Sequence, residues 1–246
     1  NAPEKNFYGW VPINEVGFVG LTQFLNIFWC FGAEILDEDN RPVFNSPEAV
    51  EALEFAAELC NYAPPGGRMY SDDDNLTAMA QGMGAMTVTG FPYILKMMDP
   101  KVSKYYDKFK VISMPKKRRS IALSIVHMHG INKYIEPEYK ELAYEFLCHL
   151  CSRESQIKMA PIGNIPVRTD VYNVPELLEW NPNLPALGES FMKGKLMPLI
   201  PEWGQIQDIF SRAVVQYIAE GGDAKALLDS AVKEAEKVLK EAGYKF

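Results

Sequence analysis

The stretch MAQGMGAMTVTGFPY, residues 79–93, decides how the rest of the chain reads. Its first residues finish a short helix that the acidic run 72–75 can cap and that reaches about Gln81. The run AMTVT at 85–89 is short and apolar, the pattern of a buried strand. Gly90 ends that strand, and two aromatics, Phe91 and Tyr93, follow on either side of Pro92. A helix, a buried strand and a glycine-marked loop in this order fit an α/β layer. In open α/β sheets the loops after strand ends gather around the ligand crevice, so a site is expected here.

Working outward, the upstream half is mostly helical. An apolar run at 19–31 predicts a helix stopped by Gly32. Residues 37–44 (DEDNRPVF) read as an exposed hairpin or loop. Ser46 and Pro47 open the next helix, with Val50, Leu53, Ala57 and Cys60 at helical spacing, and YAPPGG at 62–67 closes it. Downstream, FKVISM at 109–114 predicts a second strand closed by Pro115. The basic run 116–119 leads into a strand-like stretch at 121–131. Residues 137–151 predict an amphipathic helix with Leu142, Phe146, Leu147 and Leu150 on one face, and Ser152 caps a short helix after it. Residues 174–203 are proline-rich and read as short helices joined by turns. Helices are expected at 205–217 and 224–240, the second capped by Asp223. The sum is a helix-rich α/β fold with a mostly parallel sheet, few strands and no internal repeat.

The 246 residues are 48% hydrophobic and 23% charged, with a net charge of −7. That composition excludes wholesale disorder, and its sign excludes nucleic acid as the main partner. No apolar run reaches the roughly 18 residues of a membrane span, since Gln23 and Asn26 interrupt the nearest one. Cys30, Cys60, Cys148 and Cys151 are too few for a disulfide scaffold and read as buried small hydrophobes. A Cys30–Cys60 disulfide stays open. The chain starts at Asn1 with neither an initiator Met nor a signal-peptide pattern, so a trimmed or processed chain is expected.

Catalytic and cofactor motifs are missing. There is no phosphate loop, no dinucleotide fingerprint and no nucleophile elbow. Asp72, Asp73 and Asp74 fail as a calcium loop because Thr77 and Met83 occupy the required Gly and Glu positions. His127 and His129 share one face of the expected strand, but they lack a third ligand, so no metal is expected. Lys116–Arg119 reads as an exposed loop rather than a phosphate site. Glu15 and Glu202 are the sort of distant carboxylates a glycosidase would need, and nothing singles them out.

Four stretches taken together carry a resemblance: RPVFNSPEAVEALEF at 41–55, MAQGMGAMTVTGFPY at 79–93, residues 141–166 running on into GNIPVR, and GKLMPLIPEWGQIQDIF at 194–210. In this order they resemble the extracellular solute-binding proteins of ABC importers, specifically the maltose-binding-like family 1 sugar binders. The resemblance implies a periplasmic-binding-protein-like two-lobe fold of type II. Here it covers a near-complete second lobe, residues 1–116 and 173–246, plus part of the first, residues 117–172. The family's opening segment has no counterpart, so a preceding segment is implied as a partner. The resemblance further implies a carbohydrate ligand, hinge closure, an ABC-transporter membrane permease as partner and an extracytoplasmic location. It implies no enzyme activity, cofactor or metal. Trp203 and Phe91 are the expected stacking rings, with Tyr93, Glu15, Phe18 and His127 around them. The same fold binding a polyol phosphate, a peptide or another small solute is the first alternative, and a glycosidase is the second.

Overall fold

A computed structural model describes all residues, 1–246. Ten helices carry the fold: α1 (Phe18–Cys30), α2 (Pro47–Leu59), α3 (Asp72–Ala80), α4 (Phe91–Met97), α5 (Pro137–Leu150), α6 (Arg153–Met159), α7 (Pro175–Trp180), α8 (Leu184–Met192), α9 (Trp203–Glu220) and α10 (Ala224–Glu241). The only ladder joins β1 (Tyr8–Trp10) to β2 (Gly84–Met86) in parallel, with Tyr8 opposite Gly84 and Trp10 opposite Met86. Parallel pairing puts the ends of both strands on one side, so residues 11–17 and 87–90 emerge together.

The helix starts follow local chemistry. Ser46, Ser152 and Asp223 each accept the N–H three residues on, satisfying an orphan donor of the first turn. At α3 the cap is Ser71, one residue before the acidic run. It forms a reciprocal box with Asp74. That correction matters, because it leaves Asp72 free of capping duty.

The main core lies between α1, α2, α9 and α10. Phe210 is its centre: it stacks on Phe44 at 4.4 Å and meets Phe28 and Phe24 edge-on at 5.4 and 5.8 Å. A second, smaller cluster joins Phe91 to Ala160, Val171, Tyr172, Leu177, Leu184 and Leu187. This packing crosses both expected boundaries at 116 and 172. Residues 117–172 hold no core of their own, and α5 buries none of its residues. Leu142, Tyr144 and Phe146 are all exposed on it.

Two expected strands do not form. The 109–114 stretch runs extended without a ladder, and the Val111 N–H donates to the Asn183 side chain instead. The 121–131 stretch makes one parallel bridge, Leu123 to Lys195, and is otherwise unpaired. Both have strand composition, but no neighbouring strand lies alongside to complete their hydrogen bonds. The cysteines are also corrected in part. Cys30 and Cys60 are buried and free, whereas Cys148 and Cys151 are exposed. Burial pushes both buried thiols up in pKa. The basic loop is exposed as expected, with Lys117 paired to Glu51, Arg118 to Glu48 and Glu51, and Arg119 to Glu34.

Candidate functional site

The strand-end loops are fixed by buried amides. Gln23, on α1, accepts from Ile13 N–H at 2.7 Å and donates to the Val88 carbonyl at 2.7 Å, tying the loop after β1 to the loop after β2. Asn75, fully buried on α3, donates to the Val11 and Pro12 carbonyls at 2.8 and 3.3 Å and to the Thr87 hydroxyl at 2.8 Å. Gly17 has φ 110°, in the left-handed region, and both its N–H and its carbonyl bond the Ser211 hydroxyl of α9. The loop carrying Glu15 is therefore held at both ends. Gly20 also packs so closely that a Cβ there would lie 1.9 Å from the Glu15 carbonyl oxygen.

On this frame the Asp72 carboxylate faces the Tyr93 hydroxyl, with Glu15 as a more distant negative charge. Hydrogen bonding to Asp72, with burial and the negative charges of Asp72, Asp73 and Glu15, pushes the phenol up to about 12. Burial raises Asp72 itself above its ordinary value, against the lowering effect of the Tyr93 bond and Lys96. The Lys96 ammonium lies 4.9 Å from the centre of the Tyr93 ring. Tyr93, Asp72 and Glu15 are all half-buried, so each keeps a face toward solvent. Such a group can accept hydroxyl protons through carboxylate oxygens and offer a ring edge to an apolar surface.

The other expected residues separate. Phe91 is corrected: its ring is 5% exposed inside the smaller core cluster and has no free face to stack. The reason is helical geometry, because α4 begins at Phe91 and residues two apart point to different sides. Trp203 is half-buried, packs against the main core and keeps an indole N–H with no partner. The two rings thus belong to different cores. Phe18, the first residue of α1, is 42% exposed beside the more open Val16 at 59%. His127 is exposed in the unpaired 125–130 segment. Glu202 accepts a hydrogen bond from Tyr244 at 3.1 Å, which ties it to the C-terminal residues. Sequence reasoning missed Asp72, Gln23 and Asn75. Gln23 carried one signal, a polar residue inside the apolar run of α1, whereas Asp72 and Asn75 stood in the polar run 71–75 and carried none.

The strand ends of this small α/β unit carry a polar and aromatic rim. The sequence profile described as bacterial extracellular solute-binding protein matches residues 10–186, so this chain belongs to that family. A Brucella abortus (strain 2308) binding protein is 23% identical over 216 residues, covering 87% of this chain and 52% of the relative. Among solved structures, maltose-bound MalE3 of T. maritima superposes with a TM-score of 0.83 at 24% identity, covering 96% of this chain and 62% of that one. An ABC transporter solute-binding protein from Agrobacterium radiobacter K84, in complex with ribitol, gives a TM-score of 0.81 at 28% identity, with 97% and 61% covered. The fold is therefore that of the periplasmic solute-binding proteins. The chain spans about half the length of the curated relatives it matches.

Proposed function

We propose that this chain is the ligand-cupping part of an extracytoplasmic solute-binding component of an ABC importer, and that its ligand is a neutral sugar or polyol. The observation that carries the reading is the Glu15–Asp72–Tyr93 group at the ends of two parallel strands. Carboxylates and a phenol accept and donate to hydroxyls without covalent chemistry, and a half-buried ring suits the C–H face of a sugar. Trp203 supplies a second ring in this reading, with Phe18 as a wall. The basic residues that would favour a phosphorylated ligand are spent in pairs: Lys117, Arg118 and Arg119 all face carboxylates. The names of the two solved neighbours, one with maltose and one with ribitol, support the same ligand class.

In this reading residues 1–116 and 173–246 form one lobe, and 117–172 belong to the other. The exposed α5 face is then covered by a further segment of the same protein. The two parts share the smaller core, where Phe91 and Leu177 pack with Ala160 and Val171, and are linked again where Ser124 N–H donates to the Lys195 carbonyl and Lys195 N–H to the Ala122 carbonyl, each at 2.9 Å. Ligand touching both lobes favours closure, and the closed form is what a membrane permease reads. The activity is binding without turnover. The test is calorimetric titration of the full-length protein with maltose, ribitol, mannitol, a sugar phosphate and an amino acid. Saturable binding of a neutral polyol is expected. Binding of only the phosphate or the amino acid would overturn the ligand class, and sugar hydrolysis would overturn the absence of turnover.

A further inference from the structure

Four cysteines fall into two chemical groups. Cys30 and Cys60 are buried, and each thiol donates to a backbone carbonyl, Ile121 at 3.3 Å and Ala56 at 3.4 Å. Cys148 and Cys151 are exposed and stand three residues apart, in the sequence Cys148-His149-Leu150-Cys151. Cys148 is in the last turn of α5, and Cys151 is the residue that caps its end.

The end of this helix is tightened. Cys151 N–H bonds Leu147 O at 3.0 Å in the α pattern, but Ser152 N–H bonds His149 O at 3.0 Å, the shorter-ring pattern of a 3₁₀ turn. The tightened turn spans 149–152, and Cys148 and Cys151 keep the helical i, i+3 relation on one side of the helix end. Helical Cα atoms three apart are separated by about 5 Å, inside the roughly 4.4–6.8 Å that a disulfide spans. Cys151 is followed by a turn, so its backbone can close the remaining distance without breaking a helix interior.

Accessibility is decided by the helix face. At about 100° per residue, Cys148 lies well away from the Leu142–Phe146–Leu147–Leu150 stripe, while Cys151 lies about 40° from Leu147 at its edge. A segment covering that apolar stripe leaves Cys148 open and borders Cys151. The location also has a structural use. Helix α5 ends where two side-chain bonds join it to α6, Gln156 to the Leu150 carbonyl at 2.9 Å and Ser155 Oγ to His149 Nε2 at 3.2 Å, together with the Ser152 cap. A covalent staple would add a constraint at this corner.

We propose that Cys148 and Cys151 form a dithiol–disulfide site, oxidised by a disulfide compound in the surroundings, and that the bond staples the α5–α6 corner. One thiolate attacks the oxidant's S–S bond, forming a mixed disulfide and releasing one thiol. The second cysteine attacks that mixed disulfide, closing the Cys148–Cys151 bond and releasing the second thiol. Two electrons pass to the oxidant, and the two protein thiol protons end on its two released thiols. The inference does not depend on the ligand reading.

The test treats the full-length protein with oxidised glutathione and maps thiols by mass spectrometry. The expected product is two hydrogens lighter, carries no glutathione, and yields a 148–151 peptide that resists alkylation until reduced. Cys148→Ser and Cys151→Ser variants should each retain one glutathione adduct, because the resolving thiol is gone. Protease should cut the 148–156 region faster in the reduced protein. Stable glutathione adducts on wild-type Cys148 or Cys151, or free thiols after treatment, would overturn the proposal.

Discussion

Replacing Asn75 with Ala is the most direct trial of the strand-end frame. The side chain is fully buried, and its Nδ2 reaches the Val11 carbonyl and the Thr87 hydroxyl at 2.8 Å and the Pro12 carbonyl at 3.3 Å. Each well-formed bond contributes about 1 kcal/mol net, and a buried carbonyl left without a donor costs about 1–3 kcal/mol. Val11 keeps the Thr87 hydroxyl at 2.9 Å, so only Pro12 is stranded. The Oδ1 of Asn75 is buried without a partner, and its removal offsets part of the loss. The expected cost is about 2–3 kcal/mol, a large share of the roughly 5–15 kcal/mol of a typical domain. Thr87→Val, which removes two bonds at a less buried position, should cost about 1–2 kcal/mol. Asn75→Asp should be worse at neutral pH, because its carboxylate faces carbonyl oxygens. It should recover on acidification, since a buried acid of raised pKa loses stability as pH rises. Urea unfolding of the full-length proteins, read as midpoints at constant m, measures all three. A change within about 0.5 kcal/mol for Asn75→Ala, or an Asn75→Asp stability that falls on acidification like the wild type, would refute the reasoning.

Gly20→Ala should destabilise by about 1–3 kcal/mol and weaken ligand binding, because its Cβ would sit 1.9 Å from the Glu15 carbonyl oxygen. A gain in stability, as helix propensity alone predicts, would contradict the packing. Asp72→Asn should reduce affinity for a neutral polyol about tenfold or more, since a hydrogen bond to a charged group contributes roughly 1.5–3 kcal/mol. Trp203→Phe should weaken binding with little change in fold, and Phe91→Leu should change stability but not affinity. Equal affinity losses at 203 and 91 in titration calorimetry would return Phe91 to the site. Glu34 bonds both Arg119 and Lys195. Burial would raise its carboxyl, yet those two cations outweigh burial and hold it below its ordinary 4.5. The lowered value means its contribution is present above pH 4.5 and is lost as pH falls through the folded value. Glu34→Gln should flatten that acid limb of the unfolding midpoint, and an unchanged limb would remove Glu34 from the groups that set it.

How much was legible depended on how local the cause was. Ser46, Ser152 and Asp223 start helices through bonds three residues long, so sequence sufficed for them. The segments 109–114 and 121–131 have strand composition, but a ladder needs a neighbour that sequence pattern alone does not supply. Tyr93 was expected near the strand end because Gly90 follows the strand, and it lies there half-buried, in the first turn of α4. Phe91 was not, because the same Pro92 starts a helix and turns the two rings to opposite sides. Asp72 was hidden behind a plausible capping role that Ser71 fills. The apolar stripe of α5 read correctly as a stripe, while its exposure followed from what packs against it.

The buried amides explain why a chain with a two-stranded sheet still presents ordered loops. A larger sheet would satisfy the backbone of residues 11–17 and 87–90 with strand neighbours. Here Gln23 and Asn75 supply donors and acceptors, and Asn26 does the same for the crossing segment by accepting from Leu123 N–H at 2.8 Å. Each amide is rigid only because the helix under it is packed, α1 and α3 against the cores on either side. The polar interruptions that break the apolar pattern of α1 are therefore what transmit the order of the main core to the Glu15 loop. The 125–130 segment has no such amide beneath it and makes no ladder. The division between the braced strand-end loops and the unpaired 125–130 segment thus follows from where those side chains fall.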